Sequence, residues 1–83
     1  MFPRIKELVP LDGYVLDVRF DTGEHVFYDV SDDIQSVKEF GLLKTIPGLF
    51  NAVKVDESRT SVYWNDRIDL SSDTILEYGR PVV

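Results

Sequence analysis

Apolar and polar residues alternate through residues 14–30, YVLDVRFDTGEHVFYDV, with the period of two that marks strands burying one face. Tyr14, Leu16, Val18 and Phe20 fall on one side, Val15, Asp17 and Arg19 on the other. Past Asp21-Thr22-Gly23 the alternation resumes, with Val26, Tyr28 and Val30 set against His25, Phe27 and Asp29. A three-residue loop with glycine in the left-handed conformation closes such a hairpin. It pairs Phe20 with Glu24, Val18 with Val26, Leu16 with Tyr28 and Tyr14 with Val30, so the apolar sets meet across the strands. A two-residue Thr22-Gly23 loop would instead put Leu16 opposite Asp29. A slip of one residue inverts every side chain, so the longer loop is predicted.

Upstream, residues 4–11 read as a first strand with Ile5, Val9 and Leu11 on one face, together with Glu7. Asp12-Gly13 is a type I′ turn signal and predicts pairing of Leu11 with Tyr14 and Val9 with Leu16. Pro10 donates no ladder hydrogen bond and belongs on an edge or facing outward. Downstream, Ser31, Asp32 or Asp33 can cap a short helix over residues 34–40, with Ile34, Val37 and either Phe40 or Leu42 spaced for one face and Gly41 as its stop. Residues 42–46 are ambiguous, and Pro47-Gly48 reads either as punctuation or, from Pro47, as the start of a brief helical turn through Leu49, Phe50 and Asn51. Residues 52–57, 60–64 and 67–70 read as three short strands burying Val53 and Val55, Val62 and Trp64, and Ile68 and Leu70. Ser71 or Ser72 caps a last helix through Tyr78, which Gly79 and Pro81 end. The tail from Arg80 carries no assignment.

Eighty-three residues make one domain, taken as 1–83, with one modest core. Cysteine is absent, which excludes disulfides and thiolate metal sites. No apolar run is long enough for a signal peptide or a membrane span, so a cytoplasmic protein without membrane contact is expected. The net charge of −6 comes with nine scattered basic residues and no basic patch. Direct nucleic-acid binding, which depends on such patches, is therefore not expected. The acidic surface serves solubility, and it also suits a basic protein partner.

No catalytic constellation, cofactor loop or metal-ligand motif is present. His25 stands alone, and no phosphate-binding loop, nucleophile elbow or histidine pair occurs. Neither an enzymatic activity nor a cofactor is predicted. Two aspartate groups, Asp29, Asp32 and Asp33, and Asp66, Asp69 and Asp73, offer the oxygen ligands a hard cation prefers. Capping and turn chemistry explain both more simply, so small-ligand or divalent-metal binding is the alternative reading. The hairpin's second face raises a different question. Val15, Phe27 and His25 lie there, either beneath a helix or in an apolar patch of the sort that marks partner sites. With two helices to place, coverage is favoured. Tyr63 presents the same choice.

The segments V-P-L-D-G-Y (9–14), F-D-T-G-E (20–24), F-Y-D-V-S (27–31) and W-N-D-R-I-D-L-S-S-D-T-I-L (64–76) resemble a family of short bacterial domains of unknown function. The resemblance spans nearly the whole chain. It departs after Asn65, where many members carry Gly at the position of Asp66 or Arg67. It implies an α+β domain similar to the N-terminal part of an uncharacterised protein that continues into a helix-turn-helix. It also implies pairing, in some members, with another small domain in the manner of toxin and antitoxin. It implies no catalytic residues. Sequence and resemblance together predict an α+β fold: an antiparallel β-meander of three N-terminal strands, a short helical segment, two to three further strands and a C-terminal helix. The expected function is a non-enzymatic protein-interaction or regulatory module. Val15, Phe27, His25 and Tyr63 are its candidate partner surface, and unpaired strand edges leave a homodimer open.

Overall fold

The computed structural model describes residues 2–82. Its chain folds as α+β, with two antiparallel sheets facing each other across one core and the helical turns closing its ends. Strands β1 (Ile5–Leu11), β2 (Val15–Phe20) and β3 (His25–Asp29) form the predicted meander. Strands β4 (Lys54–Val55), β5 (Ser61–Asn65) and β6 (Ile68–Ser71) form the second sheet.

The β2–β3 hairpin has the predicted register. Leu16 faces Tyr28 and Val18 faces Val26. Phe20 and Glu24 bond across the loop, and Gly23 takes φ +93° there. A side chain at Gly23 would be strained by that backbone angle even though open space surrounds it.

The β1–β2 hairpin departs from expectation by one residue. Leu11 pairs with Val15 and Pro10 with Leu16, so the loop is Asp12-Gly13-Tyr14 and not a type I′ Asp12-Gly13 turn. Tyr14 itself takes φ +63°, which is costly for a residue with a Cβ. Its ring meets Phe50 edge-on at 5.4 Å, a contact that offsets part of the cost. A bulge at Lys6 corrects the phase at the other end, where Ile5 pairs with Phe20 but Glu7 with Arg19. The inward positions are therefore Ile5, Leu8 and Pro10, while Val9 is 45% exposed. Pro10 sits on an edge strand, as its missing N–H requires.

The predicted helix over 34–40 is broken up. Helix α1 (Ser31–Ser36) ends at Val37, whose extended backbone separates it from a 3₁₀ turn, Lys38–Gly41. Gly41 does not stop a helix; it leads into α2 (Leu42–Thr45) with helical φ and ψ. Nor do Ser31, Asp32 or Asp33 cap α1. Asp29 does that work from the end of β3, accepting from the Ser31 amide at 2.9 Å. Helix α3 (Ser72–Tyr78) follows β6 directly, and the unassigned tail supplies β7 (Arg80–Pro81), paired antiparallel with β3. The first sheet thus runs β1-β2-β3-β7. Gly79 permits this turn from helix to strand because a Cβ there would strike the Ile75 carbonyl and come within 2.9 Å of Val26 Cγ2.

The core joins the inner faces of both sheets. Leu16, Val18, Phe20 and Val26 meet Val62, Trp64, Ile68 and Leu70, with Phe40, Leu43, Phe50 and Ile75 added from the helical segments. Trp64 anchors the join: its Nε1 donates to the Phe50 carbonyl at 3.0 Å, its ring stacks on Phe50 and it meets Phe40 edge-on. At the opposite rim Arg59, with φ +62°, ties the β4–β5 turn to the first sheet. Its guanidinium forks onto Asp21 at 2.8 and 2.9 Å, and its carbonyl accepts from Ile5. Among the described residues no helix is long and apolar enough to cross a membrane.

Candidate functional site

The helical segments bury Phe40, Leu43 and Ile75 in the core that the two sheets share, on the inner side of the first sheet. The expectation that one of them covers the opposite face is therefore corrected. Val15 and Phe27 are half-buried, yet neither belongs to the core nor packs against it. The reason is the bent path from β6 through α3 to β7. It puts Ile75 under the sheet and brings the chain back at the edge of β3, so only the rim of α3, through Thr74 and Tyr78, stands beside Val15 and Phe27.

Strand register dictates what this outer face carries. Leu11, Val15 and Asp29 form one cross-strand row; Val9, Asp17, Phe27 and Arg80 form the next; Glu7, Arg19 and His25 form the third. His25 Nε2 donates to Asp17 Oδ1 at 2.5 Å, and the imidazole meets Phe27 edge-on at 5.6 Å. These two contacts shield Phe27 and fix the histidine. They leave an apolar strip of Val9, Leu11, Val15 and Phe27 beside a polar pair that already satisfies itself.

At the free end of β3 the strip runs into a cleft of about 480 Å³. Val15, Phe27 and Tyr78 are its apolar wall, and Asp29, Asp32 and Asp33 its acidic one. β7 covers only Val26 and Phe27 of β3, so the edge beyond them opens into this space. The phenol of Tyr28 donates to Asp33 Oδ2 at 2.6 Å. Burial, followed by that hydrogen bond and the charge of Asp33, pushes the phenol well above the usual tyrosine range, so it stays a neutral donor. Asp29 is shifted the other way. Hydrogen bonding from Ser31, by side chain and amide, holds its carboxyl below the usual carboxylate range. Arg80 stands on the rim, opposite Phe27, and forms no ion pair among the described residues.

This arrangement suits binding. It offers fixed carboxylates, a neutral phenol, an aromatic ring 72% exposed at Tyr78 and a flat apolar strip. No three carboxylate or imidazole groups among the described residues converge so as to hold a metal ion, the Asp29, Asp32 and Asp33 group included. Asp66, Asp69 and Asp73 are placed on the β5–β6 turn, on β6 and in the first turn of α3.

Of the residues singled out from the sequence, Val15, Phe27 and His25 share one face, and the first two reach the cleft. Tyr63 does not join them. It lies on the second sheet between Lys54 and Asp69, 38% exposed. Sequence reading missed Tyr78 and Arg80. The 3-1-3 spacing of Ser72, Ile75, Leu76 and Gly79 was the available signal, because it defines the inward stripe of α3 and leaves Tyr78 off it.

No curated protein and no solved structure matches the chain. A family model does, over residues 5–81, which takes in both sheets and every residue of the outer face and cleft just described. The chain belongs to that family, described as protein of unknown function (DUF2442).

Proposed function

We propose that the protein is a non-enzymatic protein-interaction module that works in the bacterial cytoplasm and docks a protein partner on the outer face of its four-stranded sheet. One half of a regulatory, antitoxin-like pair is the specific form of this reading. The observation that carries it is the apolar strip of Val9, Leu11, Val15 and Phe27, left outside the core of a domain too small to bury a second one. Exposed Tyr78 extends the strip, and aromatic residues of this kind supply much of the binding energy at protein interfaces.

Copurification from the native host at native expression tests the reading. The expected result is a stoichiometric protein partner that is retained by the parent chain and lost with Phe27→Ser, while the melting temperature of the variant stays close to the parent's. Recovery of free monomer alone sinks it. So does a partner retained undiminished by a folded Phe27→Ser protein.

A further inference from the structure

We propose that the cleft at the free end of β3 receives an arginine side chain presented by the partner that lies across the outer sheet face. This rests on the docking reading and deepens it by naming the chemistry of the occupant.

Charge complementarity selects a cation. Three carboxylates, Asp29, Asp32 and Asp33, face one guanidinium, that of Arg80, in a chain of net charge −6. A second copy of the same face would bring the same acids together, so self-association is the wrong occupant for this end of the surface. The apolar wall selects among cations. Tyr78 and Phe27 line the cleft together with the carboxylates, and Tyr78 stands exposed at the helix end just before Gly79. A planar guanidinium can lie on an aromatic ring and fork onto a carboxylate at once, whereas an ammonium offers neither planarity nor a fork. The carboxylates are also pre-positioned. Tyr28 holds Asp33, and the Ser31 amide holds Asp29. Asp32 makes no side-chain hydrogen bond among the described residues and is exposed. A volume of about 480 Å³ accommodates one long side chain with the backbone that carries it.

The probe is N-acetyl-arginine methylamide, titrated into the isotope-labelled protein at low salt, with the citrulline and lysine analogues as controls. The arginine compound should give saturable shifts of the Val15, Phe27, Asp29 and Tyr78 amides with a millimolar Kd that weakens as salt rises. The lysine analogue should bind more weakly, and citrulline, isosteric but neutral, should not saturate. Asp32→Asn should weaken binding about threefold and Tyr78→Ala about fivefold. Arg80→Ala, which removes the like charge from the rim, should tighten it. Equal response to arginine and citrulline overturns the arginine assignment while leaving a docking face. Shifts elsewhere, or none that saturate, overturn the cleft as the arginine site. In neither case is copurification prejudged, so the two readings fail separately.

Discussion

Ser72 is wholly buried at the start of α3, and its hydroxyl finds no partner among the described residues, although its amide donates to the Thr60 carbonyl at 2.8 Å. An unpaired buried hydroxyl costs free energy that an alanine methyl would not. Ser72→Ala should therefore leave the denaturation midpoint unchanged or raise stability by up to about 1 kcal/mol, measured by urea unfolding. Tyr28 poses the opposite case, a polar group made secure by its partner. Its folded value lies above its unfolded value of 10.0, so its contribution is present below that pH and lost as pH rises beyond it. Absorbance titration should show the same phenolate amplitude near pH 10 in the parent and in Tyr28→Phe, and the parent should lose stability faster than the variant above that point. An additional phenolate in the folded parent at pH 10 would contradict the assignment.

At the scale of elements, legibility tracked how local each decision is. The β2–β3 register could be read because Gly23 and an unbroken alternation specify it within a few residues. The β1–β2 register could not. It depends on a bulge at Lys6 and on a left-handed Tyr14 whose ring rests on Phe50, far along the chain. Strand β7 was invisible, since two residues carry no periodicity and Arg80-Pro81 reads as a helix stop. With it went the cleft: Val15 and Phe27 were identifiable, but their neighbours Tyr78 and Arg80 are placed only by how α3 turns back. The β4–β5 turn shows a local device that alternation does not reveal. Asp56 accepts from the Ser58 hydroxyl at 2.8 Å and from the Thr60 and Ser61 amides at 3.1 Å. The Ser58 hydroxyl foremost, with the two amides, depresses its carboxyl below the ordinary 3.8. A depressed carboxyl stabilises above its unfolded value and ceases to as pH falls through its folded one. Asp56→Ala should thus be less stable than the parent at neutral pH, with the gap narrowing as pH falls below 3.8 in paired chemical melts.

For the molecule as a whole, Trp64 links structures that sequence places far apart. Its ring touches Phe40 and Phe50 while its strand belongs to the second sheet. Trp64→Ala should cost about 3–5 kcal/mol, a large share of the stability of a domain this size, and should loosen both sheets together. Circular dichroism and near-ultraviolet signals of the parent should therefore report one coincident transition. Separate transitions for the two sheets would refute a shared core.

The pairing of β7 with β3 has a kinetic side. It joins Val26 and Phe27 to Pro81 and Arg80, far along the chain, and such long-range closure comes late because its loop entropy must be overcome first. During synthesis the apolar strip and the aspartates emerge before Tyr78 and Arg80. The cleft is complete only once the chain has closed on itself. The arginine proposed above is thereby denied a site on nascent or partly unfolded chains, and its binding would read out finished folding.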